Sequence, residues 1–252
     1  MKKCSFYLSV SLLLTFFFGT GLHAQRAEYH FDVPTAKEGF SVVRSENNSL
    51  RVAHNVPNLA IDEITDNGYT GNIIEMNGLY LPADAGVPNL PANSRFVAIP
   101  SGSKAVLNII SVKKETIQNV DLLPAPAIPL SNDDRPAEYT KDQSIYSKNG
   151  FYPAEPFQIS KVLTIRGVET VTLSITPFQY NPVTKELIVY YDVVAEVAFE
   201  GGNGHVGEDR LRNPWWDNIL EDNIINSSIL PKIDYAARNA HWLLTVRKVA
   251  II

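Results

Sequence analysis

Apolar and polar residues alternate with a period of two along most of the chain from about Arg26 to Phe199. "SLRVAH" (49–54), "RFVAIP" (95–100), "AVLNIISV" (105–112) and "VTLSI" (171–175) each read as a strand with one face turned to a core. The longest run, Ile175 to Phe199, reads "ITPFQYNPVTKELIVYYDVVAEVAF" and predicts one long antiparallel hairpin. Leu187, Val189, Tyr191, Val193, Ala195, Val197 and Phe199 share one face and are expected to be its buried side. Ile188, Tyr190, Asp192, Val194, Glu196 and Ala198 make a mixed opposite face. The turn "YNPVTKE" supplies Asn181, whose side chain can accept from the backbone, and Pro182, whose φ is preset.

The strands are joined by proline-rich connections, and proline cannot donate to a ladder, so these are loops and edges. The stretch from Leu122 to Pro156 is long for a compact domain, a length usually kept for function or disorder. No helical period is evident before about Asp209. "EGGNGHVGEDR" then marks a boundary, and residues 201–235 read as a linker with short helices and little core of its own. Residues 236–252, ending "HWLLTVRKVAII", look like the start of a further domain. The expected fold is therefore all-β: an antiparallel two-sheet β-sandwich over residues 25–200.

The N-terminus changes this picture only by subtraction. Lys2 and Lys3, the apolar run from Phe6 to Phe18 and the small residues before Ala24 read as a signal peptide, 1–24, cut between Ala24 and Gln25. Export to a periplasmic or extracellular compartment is expected, with no membrane association once the signal is removed. The one cysteine, Cys4, lies inside that signal, so the mature chain has no disulfide and no thiol nucleophile. About 225 residues remain, enough to stabilise a β domain by its apolar core alone. A net charge of −5 without a basic cluster leaves no footprint for nucleic acid.

Candidate chemistry is sparse. The five histidines (23, 30, 54, 205 and 241) show no metal-ligand spacing, and no nucleophile elbow or phosphate-binding glycine loop is present. Asp133 and Asp134 could touch a calcium ion, but calcium needs several more oxygen ligands, and two acids in a turn also read as a solvated loop. Trp215 and Trp216 read either as a sugar-stacking pair or as a staple holding the linker to the sandwich. Neither a catalytic site, a cofactor nor a metal is expected, and the chain as it stands is expected not to be an enzyme.

Four phrases carry a resemblance. "GVPNLPANSRFVAIP" (86–100), "YPAEPFQIS" (152–160), "IRGVETV" (165–171) and "FQYNPVTKELIVYYDV" (178–193) occur in order. Together they resemble the N-terminal propeptide of the gingipain-type secreted cysteine endopeptidases of Bacteroidota, over most of residues 28–199. The resemblance implies a β-sandwich prodomain that acts as an intramolecular chaperone and latency inhibitor. Its partner is the gingipain-like catalytic domain, normally in cis. It also implies that the catalytic Cys and His belong to a following domain, and that this chain is a precursor broken off at the start of it. In such proteins a basic residue on a prodomain loop enters the specificity pocket of the peptidase. The matching loop is "PLSNDDRPAEYTKDQ", where counting back from "FYP" lands on Ser131, with Arg135 four residues along as the candidate pocket residue. The other reading is a free-standing secreted adhesion or glycan-binding sandwich, for which Trp215 and Trp216 would be the platform.

Overall fold

A computed structural model describes residues 26–35, 37–66, 68–78, 80–81, 83–127 and 138–238. The signal-peptide expectation with its Ala24–Gln25 junction, both loop candidates Ser131 and Arg135, and residues 239–252 lie outside them.

The alternating segments form twelve strands: β1 (Arg26–His30), β2 (Gly39–Ser45), β3 (Ser49–Asn55), β4 (Asn58–Asp66), β5 (Tyr69–Glu75), β6 (Asn93–Ala98), β7 (Ser103–Ile117), β8 (Phe157–Ile159), β9 (Leu163–Ile165), β10 (Val168–Ile175), β11 (Phe178–Asn181) and β12 (Glu186–Gly201). All ladders between them are antiparallel. β12 is the spine of the largest sheet, running in the order β11-β12-β3-β2. β7 pairs along one side of β12 from Leu187 to Gly201. On its other side β12 pairs first with β11 (186–189) and then with β3 (192–198).

A second sheet, β6-β10-β8 with β9 also on β10, packs over it to form the sandwich. The alternation dictates which side chains meet: Val97 and Ile99 from one end of the second sheet, Val171, Leu173 and Ile175 from β10, and Leu50, Val52, Val193, Ala195 and Val197 from the large sheet. All are essentially without solvent exposure. Burying an aliphatic side chain of this size contributes about 1.5–3 kcal/mol. A third sheet, β1-β4-β5, covers a second core made with β11 and the first half of β12.

The long strand departs from strict alternation at one place. Tyr190 pairs with Lys114 and Asp192 with Lys113, so Tyr191 is the extra residue of a β-bulge. A bulge moves every later side chain to the other face. Leu187 and Val189 therefore belong to the second core, with Tyr191 half-buried against it and stacked on Phe31 at 4.9 Å. Ile188 and Tyr190 instead join Val193, Ala195, Val197 and Phe199 in the first core. The face expected from the sequence is buried at Leu187, Val189, Val193 and Val197, but it serves two cores rather than one. The turn behaves as its residues require: Asn181 Oδ1 accepts from the Val183 and Thr184 amides, and Lys185 takes φ +55°.

The stretch after β12 has more core than its polar composition suggests. Asn213 caps α2 (Pro214–Asn223), accepting from the Trp215 and Trp216 amides, with Pro214 at the first helical position. Leu220, Ile224 and Leu230 pack on the outer face of the second sheet with Ala98, Val168 and Val206. Asn226 fastens this segment by mimicking a strand neighbour: its buried amide accepts from the Ala98 N–H at 2.8 Å and donates to the Ala98 carbonyl at 2.9 Å. The Ile225 N–H adds a bond to the Phe96 carbonyl at 2.9 Å.

Candidate functional site

The Leu122–Pro156 connection is described at both ends, residues 122–127 and 138–156, and its ends are built into the fold. Leu122, Leu123 and Ala125 are buried. Asn72 of β5 holds the outgoing stem with three bonds. Its amide donates to the Asp121 carbonyl (2.7 Å), its carbonyl accepts from Leu123 (2.9 Å), and its side chain accepts from the Asp121 amide (2.7 Å). This approach is close enough to demand a glycine beside it: a Cβ on Gly71 would stand 2.7 Å from the Asp121 carbonyl oxygen.

The buried hydroxyl of Tyr180 donates to the Val120 carbonyl (2.9 Å) and accepts from the Leu122 amide (3.2 Å). Burial pushes the Tyr180 hydroxyl up to about 12, so it stays protonated and able to do both. The Tyr146 hydroxyl donates to the next free acceptor, the Leu122 carbonyl, at 3.1 Å. That tyrosine ends the returning stem. It sits on α1 (Gln143–Tyr146), a single helical turn capped by Asp142 that the sequence pattern did not reveal. Four residues are too few to show a period. Burial likewise pushes the Tyr146 hydroxyl up.

The two stems meet on one residue. The Gly86 N–H donates to the Ala125 carbonyl (2.9 Å), and the Gly86 carbonyl accepts from the Asp142 N–H (2.9 Å). Gly86 does this at φ +89°, where a Cβ would come within 3.1 Å of the Thr140 carbonyl oxygen. Glycine is the residue that meets both conditions without strain. Ionic contacts repeat the closure: Asp121 on the outgoing side lies 3.5 Å from Lys141 on the returning side and 2.8 Å from Lys185 in the β11–β12 turn. Burial acts to raise the Asp121 carboxyl, but the hydrogen bond and charge of Lys185 together with Lys141 outweigh it and hold the group below its ordinary value. Tyr139 adds a contact to the third sheet, its hydroxyl 3.2 Å from Asp66 Oδ2 and its ring against Tyr69.

The two described stems, up to Ala127 and from Glu138, are thus clamped together, with Ser131 and Arg135 falling between them in the sequence. Sequence reasoning found the loop but not its anchors. Gly86 stood in a quoted phrase, yet its partners lie about 40 and 56 positions further along the chain. A clamp made of backbone bonds between distant segments has no local signature.

Asp133 and Asp134 lie outside the described residues, and the other candidates fall as follows. No group of three or more metal-ligating side chains occurs among the described residues. No helix among them is long and apolar enough to cross a membrane. Trp216 is half-buried, its ring covered by the Arg166 guanidinium at 4.0 Å, whereas Trp215 is 85% exposed. The two rings therefore form neither a joint staple nor a flat two-ring platform.

Comparisons with known proteins agree with this architecture. The chain is similar to Lys-gingipain of Porphyromonas gingivalis, 26% identical over 220 residues, covering 84% of this chain and 12% of the relative. It is similar to gingipain R2 of the same species, 32% identical over 118 residues, covering 46% of this chain and 16% of the relative. The chain thus spans about an eighth of the length of the Lys-gingipains it matches. Among solved structures, the complex of Porphyromonas gingivalis RgpB pro- and mature domains matches with a TM-score of 0.64 at 21% identity, over 76% of this chain and 99% of the matched one. A structure concerned with the zymogenic latency of gingipain K from the same species matches with a TM-score of 0.59 at 23% identity, over 71% and 100%. The family model described as Propeptide_C25 matches residues 35–226. That interval takes in the strands from β2 to β12, both clamped stems and α2 through to Asn226. With the sheets, the loop stems and the docked helix all inside one matched interval, the chain belongs to the Propeptide_C25 family of gingipain-type propeptides, a non-catalytic β-sandwich.

Proposed function

We propose that this chain is an exported propeptide that assists the folding of a gingipain-type cysteine endopeptidase domain and holds it latent. In this reading residues 126–139 lie in the substrate cleft and Arg135 occupies the specificity pocket. The observation that carries the reading is the meeting of both stems on Gly86. A loop whose ends are fixed before binding loses less conformational freedom on entering a cleft than a free segment does. Such preorganisation suits an inhibitor that is held rather than turned over. An arginine in this loop suits a pocket with a buried carboxylate, because its planar guanidinium donates two parallel hydrogen bonds to it. Export is read from the signal-like first 24 residues. The platform proposed for the adhesion reading is divided between a covered ring, Trp216, and an exposed one, Trp215.

The test is inhibition in trans. The chain without residues 1–24 should slow hydrolysis of small peptide substrates by a mature gingipain-type catalytic domain, because a covalent link raises local concentration without creating the contacts. Arg135→Ala should weaken inhibition by roughly tenfold or more, the loss expected for one charge-assisted contact of about 1.5–3 kcal/mol. Deleting residues 131–142 should abolish it. If Arg135→Ala is silent while the deletion abolishes inhibition, the loop assignment stands and the residue assignment falls. An intact propeptide that inhibits no such domain refutes the reading.

A further inference from the structure

β7 is the longest edge strand of the fold and pairs along one side only. It lies against β12, and no described strand pairs with its other side. Such an edge presents a row of unpaired N–H and C=O groups to any extended chain, so proteins keep edges short or covered. The other edge strands have three to seven residues; β7 has fifteen. Nine in succession, Asn108 to Thr116, are exposed. Among them Ile109, Ile110 and Val112 are 40%, 50% and 41% exposed.

The register gives these apolar side chains a common origin. Ala105 and Leu107 pack on the first core. Ile109 pairs with Ala195 and Val112 with Val193, both members of that core, so the two stand on its face and carry its apolar row out into solvent. Ile110, unpaired between Ile109 and Ser111, is the extra residue of a second bulge and belongs to neither sandwich core.

The course and charge of β7 say what meets this edge. The strand ends at Ile117 and the outgoing stem follows at once, with Val120 and Leu122 held by the Tyr180 hydroxyl and Asp121 by Asn72. Thr116 and Leu122 are six positions apart, a span of about 20 Å at most. A domain that takes the loop into its cleft meets the stems, and the exposed half of β7 is within its reach. A second copy of the chain fits less well. Even with Lys113 offset by Asp192 at 3.1 Å, Lys104 and Lys114 outnumber Glu115, so two copies of this strand repel each other.

We propose that the free edge of β7, over Asn108–Thr116, is a docking rail for the peptidase domain, which adds an extended segment to it. The proposal rests on the reading of this chain as a propeptide of such a domain. Backbone hydrogen bonds supply the contact, and the side chains select the segment: apolar residues opposite Ile109, Ile110 and Val112, and an acidic one toward Lys114. The loop blocks the cleft while the rail, continuous with its stem, fixes the orientation of the domain around it.

The experiment is hydrogen exchange resolved along β7, in the chain lacking residues 1–24, alone and with the catalytic domain of Lys-gingipain or gingipain R2. Each probe is freed of its own propeptide and has its catalytic cysteine replaced by alanine; the active forms serve to read inhibition. In the free chain the β7 amides directed at β12 are expected to be protected and those directed away to exchange freely. Binding should slow the second set at least tenfold. Ile110→Lys, which adds a like charge to the edge outside both sandwich cores, should lower affinity at least tenfold with an unchanged unfolding midpoint. Outward amides that stay fast in an inhibited complex overturn the rail and leave the propeptide reading intact. Protection that grows with the concentration of the free chain assigns the edge to a second copy and overturns the proposed occupant. A wild type that neither binds nor inhibits either domain overturns both the rail and the propeptide reading.

Discussion

His54 should make this propeptide sensitive to mild acid. Its side chain, on β3 opposite Phe40 of β2, has no solvent exposure, and neither ring nitrogen has a hydrogen-bond partner. The Phe40 ring meets it edge-on at 5.0 Å. Burial, with a further contribution from the positive charge of Arg95, pushes the imidazole down from 6.5 to about 4. A depressed histidine is neutral in the folded chain and charges more readily in the unfolded one. The folded state is therefore at full advantage above pH 6.5 and loses it as the pH falls toward 4. At pH 5 the unfolded imidazole is almost wholly protonated and the folded one scarcely so, which costs about 2 kcal/mol of stability from this one group.

The assay is urea unfolding of wild type and His54→Leu at pH 7.5 and pH 5.0. His54→Leu removes the titrating group and keeps an apolar side chain of similar reach. Wild type should lose about 2 kcal/mol more than the variant between the two pH values. Parallel losses in the two proteins would refute the reasoning, because they would place the acid sensitivity elsewhere. If the propeptide confers latency, the same step makes it easier to remove once the surroundings acidify.

Two further perturbations test the framework. Asn226→Ala removes both bonds to Ala98 and leaves a buried N–H and carbonyl unpaired, so it should cost about 2 kcal/mol or more and speed amide exchange at Ala98; normal protection there would show that the segment is held by its apolar contacts alone. Gly86→Ala places a side chain at φ +89° and against the Thr140 carbonyl, so it should cost at least about 1 kcal/mol and weaken inhibition along with stability; an unchanged melting temperature would mean that the stems close without it.

The strands were legible because their residues state their own environment. β3, β6, β7 and β10 fall where period-two runs were read, and the Asn181 turn closes through the side-chain bonds its residues predict. The long connection was legible as an anomaly of length, although what tied its ends was not. The tail after β12 carries more packing than its composition suggests, for a related reason. Its apolar residues are few, and they become a core only because the outer face of β6 and β10 offers Ala98 and Val168 to receive them.

The amino-acid pattern determined by itself that this chain is an antiparallel β protein and where its turns lie. Local sterics and the two-residue repeat of a strand decide those matters within a few positions of each residue. The tertiary structure alone decided which core each half of β12 serves, because the bulge at Tyr191 arises from its register against Lys113 and Lys114, far away along the chain. It alone decided that both stems close on Gly86, and that Trp216 is covered while its neighbour Trp215 is not. Each of these is a contact between segments distant in sequence, and a contact of that kind leaves no period in either partner.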